Sequence, residues 1–200
     1  MRMFVCLSSM WSRKGSERGA SLGGMLAPRA AAFEPERIRR VAGWSIFPNF
    51  LYVALYAIPR STWGLMRWML RHNVRGPVNA ILEKRMAAEP TMDWAIRHGM
   101  FAYDAPDPFG YIRKLDDYKM TDVGPQITQD MLAIGAAEDH FIAKELYCAE
   151  LDALPNVRSL TYRLMTAGED GAGHCNVGNP WLVLDTVINW LEGLKRRDAR

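Results

Sequence analysis

Residues 17–26 read ERGASLGGML and place Ser21 in the pattern Gly-x-Ser-x-Gly, with Gly19 and Gly23 on either side. In such a turn the glycines let the chain pass sharply from strand to helix, which leaves the serine oxygen exposed at the helix N-terminus. The N–H of the next residue, Leu22, can then donate to an oxyanion that develops on a substrate carbonyl. The pattern by itself is weak evidence, so a nucleophilic Ser21 requires a histidine and an acid as partners.

The candidate acid is Asp139, which comes just after the apolar run MLAIGAA at residues 131–137. Such a run predicts a buried strand, and residues at the carboxyl edge of a parallel sheet are where active sites of α/β proteins assemble. An acid in a surface turn is the alternative interpretation of Asp139. The adjacent Glu138 is a competing candidate for the same role.

The candidate base is His174, in the glycine-rich loop TAGEDGAGHCNVGN that follows residues 159–165. A single loop histidine is more often solvated than catalytic. Together with the other two candidates it stands in the order serine, acid, histidine, which is one of the known chain orders of a nucleophile–acid–base triad. The combination predicts hydrolysis through a serine nucleophile, without a metal or an organic cofactor.

Three short apolar or alternating stretches predict strands, at residues 40–47, 131–137 and 159–165. A helix-length segment, AKELYCAELDAL, connects the last two. Strands that alternate with helices indicate a parallel sheet with crossover connections, so the fold class is α/β.

The C-terminal segment predicts an amphipathic helix that packs on this sheet. Asn179 is suited to be its N-cap, and Pro180 to be its first residue. The apolar stripe predicted to face the sheet repeats at helical spacing and consists of Trp181, Leu184, Ile188 and Leu191.

Between Pro48 and about Gly124 there is no strand pattern, and the spacing of apolar residues predicts a helical insertion between two strands. Its four predicted helices are TWGLMRWMLRHNV, PVNAILEKRMAAE, MDWAIRHGMFAY and DPFGYIRKLDDY. The insertion is rich in tryptophan and methionine. These residues predict either ordinary core packing or the lining of an apolar substrate cavity.

Composition restricts the class of protein further. The chain has 200 residues, of which 49% are hydrophobic and 24% charged, as expected for one domain with a packed core. The net charge of +3 is spread along the chain, apart from a basic cluster at residues 195–197 that is typical of a solvated helix end. Neither feature indicates a nucleic-acid partner.

Cysteine usage and hydropathy favour a cytoplasmic protein. Cys6, Cys148 and Cys175 are odd in number and lack CxxC spacing, which argues against a disulfide framework and against a zinc site. The longest apolar run, residues 50–58, is too short to span a membrane. The segment MRMFVCLSSMW has some signal-peptide character but no clear cleavage site, so a secreted lipase is disfavoured.

With these motifs the chain resembles the α/β-hydrolase superfamily. The resemblance is strongest to its branch of bacterial and fungal enzymes related to dihydropseudooxynicotine hydrolase and the polyketide-shortening hydrolases. The resemblance covers about residues 19–193 and lies in three segments, GASLGGMLAPRAAAFEPERIRRVAGWS, AIGAAEDHFI and LMTAGEDGAGHCNVGNPWLVLDTVINWL. It implies that Ser21, Asp139 and His174 form the triad. It also implies a small carbonyl substrate, cleaved at an ester or at a carbon–carbon bond next to the carbonyl.

The start of the chain departs from this family. The elbow is preceded by SRKGSER, which is too polar for a buried parallel strand, and only MFVCL farther upstream has strand character. The resemblance also assigns a second oxyanion donor to an earlier loop that has no room before Ser21. We therefore expect a partial α/β-hydrolase fold, the C-terminal strands of a parallel sheet with crossover helices, in which residues 1–18 are atypical.

On this interpretation residues 19–200 are the C-terminal part of a hydrolase domain, with the helical insertion at about 48–124. Truncation is expected to impair the activity. The alternative is a non-catalytic remnant, or a subunit that needs a partner chain to cover an open sheet edge. The sequence is also compatible with a homo-oligomer.

Overall fold

The computed structural model describes residues 15–56 and 58–200, which form two compact units. The first contains residues 15–48 and 120–200, and the second is Asn49–Lys119. The predicted strand character of MFVCL and the signal-like segment lie outside the described residues. No helix in the described part of the chain combines the length and the apolarity needed to span a bilayer.

The first unit is built on a parallel sheet, and the four strands of this sheet within the described residues lie in chain order. These strands are β1 (Gly15–Ala20), β2 (Ile38–Trp44), β3 (Asp130–Ala136) and β4 (Ser159–Met165). Strand β3 is buried along its whole length, as its apolar sequence predicts. The three strands predicted from the sequence are thus confirmed, with bounds that differ by up to three residues.

Within residues 15–48 and 120–200 the same unit has three α-helices: α1 (Leu22–Phe33), α7 (Glu145–Asp152) and α8 (Pro180–Asp198). Helix α1 connects β1 to β2, and α7 connects β3 to β4, as expected for parallel strands. Pro28 lies inside α1 rather than in its first turn. The Asn179 side chain accepts a hydrogen bond from the N–H of Leu182, which confirms it as the N-cap of α8.

The expectation that no strand leads directly into Ser21 is wrong, because β1 includes the polar residues of GSERGA. Each residue of β1 is half-buried, and within residues 15–56 and 58–200 its only strand partner is β2. A half-buried strand tolerates polar side chains that a fully buried strand could not hold without partners. The requirement for a buried apolar strand therefore does not apply at this position.

The prediction of which stripe of α8 faces the sheet is wrong for three of its four residues, whereas Leu191 does pack against the sheet. Trp181 is 73% exposed, and Leu184 and Ile188 are exposed as well. The residues that pack on the sheet are Val183 and Val187, which contact a cluster containing Leu132, Ile134 and Met165. The helix carries two apolar stripes at helical spacing, and periodicity alone does not tell which of them faces the sheet.

The second unit is helical. Its α-helices are α2 (Phe50–Leu55), α3 (Trp63–Arg71), α4 (Arg75–Ala88), α5 (Pro90–Ala102) and α6 (Pro108–Leu115). Four of them occupy the four segments predicted to be helical. Met66, Met69 and Met86 pack in the core of this unit, whereas Trp68 and Trp94 are exposed, so its methionine and tryptophan residues do not share one role.

Asp130, at the start of β3, is a buried acid with defined partners. Both its oxygens accept hydrogen bonds from Arg197 at 2.8 Å, and Ser159 donates a third at 2.6 Å. Burial opposes ionisation, but these bonds hold the pKa of Asp130 below its ordinary value. Arg197 of the basic cluster is therefore an ion-pair partner and not only a solvated helix end.

Asp130→Asn is expected to lower the free energy of unfolding by about 1–3 kcal/mol at pH 7, since hydrogen bonds to a charged group are lost. Because the pKa is lower in the folded state, this stability is present above the ordinary value of 3.8 and is lost as the pH falls through the folded-state value. Urea unfolding at pH 7 and pH 3 measures both. A difference between the variant and the parent that does not shrink at pH 3 would contradict the ion-pair explanation.

Candidate active site

Ser21 lies between β1 and α1, in a strained conformation. Its φ is 55° and its ψ is −124°, values that L-amino acids adopt rarely and mostly at functional sites. The turn is held by the Ser21 N–H, which donates to the carbonyl of Trp44, and by the Gly24 N–H, which donates to the carbonyl of Ser21. The Ser21 hydroxyl does not cap the helix, and it remains available for another partner.

The two glycines of the motif have different roles. A Cβ atom at Gly19 would lie 1.9 Å from the carbonyl oxygen of Gly23, whereas a Cβ atom at Gly23 would meet nothing within 4 Å. The close approach of strand to helix therefore requires glycine at position 19. At position 23 glycine is not needed for space.

Gly19→Ala is expected to destabilise the fold by about 1–3 kcal/mol or more, because neither backbone can yield without opening the turn. Gly23→Ala is the matched control, and it is expected to be neutral or stabilising by about 0.5–1 kcal/mol, since alanine favours helix over glycine. Thermal and urea unfolding of the two variants compare them. Equal free energies of unfolding for the two variants would contradict the close approach of residue 19 to the Gly23 carbonyl.

The structure brings the three predicted site residues together. His174 Nε2 lies 2.9 Å from Ser21 Oγ, and His174 Nδ1 lies 2.9 and 3.0 Å from the two carboxylate oxygens of Asp139. All three distances are within hydrogen-bond reach. In the neutral ring that carries its proton on Nδ1, Nδ1 donates a hydrogen bond to Asp139, and Nε2 is free to accept one from the Ser21 hydroxyl.

Asp139 is held by the backbone as well as by the histidine. Its Oδ1 accepts the N–H groups of Phe141 and Ile142 at 2.9 and 3.0 Å, a turn that fixes the carboxylate. Its side chain is completely buried. The competing candidate, Glu138, is exposed, and Asp139 is the acid that contacts the ring.

Asp139 and His174 shift each other's pKa. Burial favours the neutral carboxyl, but hydrogen bonds from His174 and the backbone keep the pKa of Asp139 below its ordinary value. For His174, burial disfavours the charged ring, yet the bonds to Asp139 and Cys175 outweigh it and raise the pKa from 6.5 to about 9. The ring is therefore largely protonated at neutral pH and becomes a base as the pH rises.

Two residues that support the histidine were missed in the sequence. Ser45, which follows β2, is fully buried at a φ of 52°, and its hydroxyl accepts the N–H of Cys175 at 2.8 Å. The Phe141 ring packs edge-on against the His174 ring, with centroids 4.9 Å apart. The strand predicted at residues 40–47 includes Ser45, so the sequence did not mark this serine as the residue that follows the strand. No sequence signal singled out Phe141.

The first helical N–H groups of α1 have no acceptor within the helix, and Leu22 is its first residue. Leu22 directly follows Ser21, and its role as oxyanion donor stays a prediction. In sum, the carboxyl ends of β1, β3 and β4 lead into the segments that carry the serine, the acid and the histidine.

No family model and no curated protein matches the chain. Solved structures do match it. One is alpha/beta hydrolase domain-containing protein 10 from mouse, with a TM-score of 0.56, 15% identity and coverage of 94% of this chain and 66% of that one. Another is proline iminopeptidase from Mycobacterium smegmatis, with a TM-score of 0.53, 18% identity and coverage of 90% and 66%.

A third similar structure is VinJ, with a TM-score of 0.53, 17% identity and coverage of 91% of this chain and 67% of that chain. At such identities the likeness concerns the fold. The chain spans about two thirds of the length of these structures. The expected partial α/β-hydrolase fold, a parallel sheet with crossover helices, is thereby confirmed.

Proposed function

We propose that the chain carries the active site of a serine-type hydrolase that cleaves an ester or a carbon–carbon bond next to a carbonyl. Ser21 is the nucleophile, His174 the general base and Asp139 the residue that orients the ring. The N–H of Leu22 donates to the oxyanion. The observation that supports this most directly is the continuous hydrogen-bonded chain from Ser21 Oγ through His174 to Asp139.

In the proposed reaction His174 Nε2 takes the Ser21 proton as Oγ attacks the carbonyl carbon of the substrate. The tetrahedral intermediate carries its negative charge on the former carbonyl oxygen, where the Leu22 N–H stabilises it. The intermediate collapses as His174 returns the proton to the leaving group, and an acyl-enzyme at Ser21 remains. Water, deprotonated by His174, then hydrolyses that ester and regenerates Ser21.

As finer points we propose that the substrate is a small carbonyl compound and that the chain belongs to the branch named above.

We also propose that the protein is cytoplasmic. This proposal rests on the cysteines: within residues 15–56 and 58–200, Cys148 is exposed and Cys175 is half-buried, and both are free thiols.

A fluorophosphonate probe tests the proposal without knowledge of the substrate. Attack by an activated serine on phosphorus expels fluoride and leaves a stable phosphonyl ester. Mass spectrometry of the intact chain and its peptides is expected to find one adduct, on Ser21. The adduct should be absent from Ser21→Ala and present in Ser61→Ala, a matched control in which an exposed serine of the helical unit is replaced.

A folded chain that takes up no probe between pH 7 and pH 9 would favour the alternative, a non-catalytic remnant or a subunit that needs a partner chain. An adduct that persists in Ser21→Ala would exclude Ser21 as the nucleophile. Circular dichroism of each variant establishes that the chain is folded before labelling.

A further inference from the structure

The helical unit contains a cavity of about 250 Å³ lined by three arginines, Arg67 and Arg71 of α3 and Arg113 of α6. Two acids, Asp116 and Asp117, complete its polar lining. None of these residues belongs to the proposed active site. The cavity is therefore a separate feature that the proposed hydrolysis does not explain.

The three arginines lack the ion pairs that other arginines of the unit have. Arg75 pairs with Asp107, and Arg97 pairs with Asp93. Among the described residues, no carboxylate oxygen lies within 4 Å of the three cavity arginines. Arg67 lies over the Tyr52 ring at 5.9 Å, and Arg113 donates to Asn73 Oδ1 at 3.2 Å, so their positive charges stay uncompensated.

In the part of the chain that the structure describes, neither acid of the cavity forms an ion pair with the three arginines. Asp116 forms an ion pair with Lys119 at 3.0 Å and accepts a hydrogen bond from Asn49. Asp117 is exposed. Moreover, residues 49–82 contain four arginines and neither aspartate nor glutamate, so this segment carries a net positive charge.

We propose that this cavity binds the phosphate group of a phosphate monoester. A guanidinium matches phosphate oxygens with two parallel N–H donors, and three of them suit a doubly charged group better than a single carboxylate. The volume accommodates the phosphate and a small organic part. The phosphate has two sources, a free small molecule or a lipid headgroup, and Leu65 and Trp68, exposed on α3 beside the arginines, would suit the second.

The test measures binding of the full chain to both sources at low ionic strength, where electrostatic contacts are least screened. One arm titrates inorganic phosphate and phenyl phosphate by calorimetry. The other sediments the chain with phosphatidylcholine vesicles that contain, or lack, phosphatidic acid. Arg71→Ala and Arg113→Ala are each expected to weaken binding about 5- to 10-fold, because each removes a charge-assisted hydrogen bond.

Asp117→Asn is expected to tighten binding about 2- to 5-fold, since it removes a like charge beside the phosphate. Arg97→Gln is the matched control: it removes an arginine of the same unit outside the cavity, and it should bind as the parent does. Binding in the calorimetric arm identifies a free ligand, and binding only to vesicles with phosphatidic acid identifies a headgroup. Either result supports the site if the cavity variants weaken it.

Absence of binding in both arms would overturn the proposal. So would binding that the Arg71→Ala/Arg113→Ala double variant retains at the level of Arg97→Gln. Probe labelling of Ser21 is measured on the same samples, so failure of the phosphate site and failure of the proposed hydrolase site are distinguished.

Discussion

Replacement of Ser21 by alanine is expected to lower hydrolysis of an activated aryl ester by about 10³–10⁶-fold, the range seen when the nucleophile of a triad is removed. The hydroxyl of Ser21 makes the hydrogen bond to His174, and it does not cap α1. The fold should therefore survive the substitution. Release of p-nitrophenol from p-nitrophenyl acetate, with thermal unfolding measured in parallel, gives both results.

The Ser21→Ala/His174→Ala double variant adds a sharper criterion. Residues that act as one unit are strongly non-additive, so the double variant is expected to be about as slow as Ser21→Ala alone. If the rate loss of the double variant equals the product of the losses in the two single variants, the two side chains act independently in the reaction. Equal rates for the parent and Ser21→Ala would exclude Ser21 as the nucleophile.

Replacement of Asp139 by asparagine is expected to lower turnover by about 10⁴-fold, because the amide no longer selects the tautomer in which Nε2 accepts the Ser21 proton. An asparagine can keep the bonds from the Phe141 and Ile142 N–H groups through its carbonyl oxygen. The loop is thus preserved while the charge is lost. Glu138→Gln, which neutralises the adjacent exposed acid, is the matched control and should retain parental turnover.

The same pair predicts the pH dependence of the parent. His174 must be neutral to act as a base, and its pKa is raised to about 9, so kcat/KM is expected to increase with pH until about pH 9. In Asp139→Asn the acid limb of the residual profile should move down toward the ordinary value of 6.5. Rates measured from pH 5 to pH 10 test this. A parental profile that is already flat above pH 7 would contradict the strong coupling between the ring and the carboxylate.

The effect of pH on the stability that His174 contributes is opposite to its effect on kcat/KM. A histidine whose pKa is raised in the folded state contributes stability that is fully present below pH 6.5 and is lost as the pH rises through about 9. The active, neutral form of the site is therefore the less stabilised one.

The sequence by itself determined the α/β class, the strands β2 to β4 and the residues of the candidate site. Its signals were local: apolar runs of strand length, a Gly-x-Ser-x-Gly turn and the chain order of Ser21, Asp139 and His174. Parallel strands end at a common sheet edge, so residues that follow different strands can be expected to meet even when they are distant in the chain.

Tertiary structure alone decided three matters. Strand β1 is half-buried and forms by pairing with β2, so its polar sequence carried no apolar signal. Helix α8 has two apolar stripes, and packing selected Val183 and Val187 over the one with Trp181. Ser45 reaches the histidine loop through one hydrogen bond to Cys175, a partner 130 residues away that no local pattern identifies. In each case the determining interaction is long-range, whereas periodicity and spacing report only on neighbours along the chain.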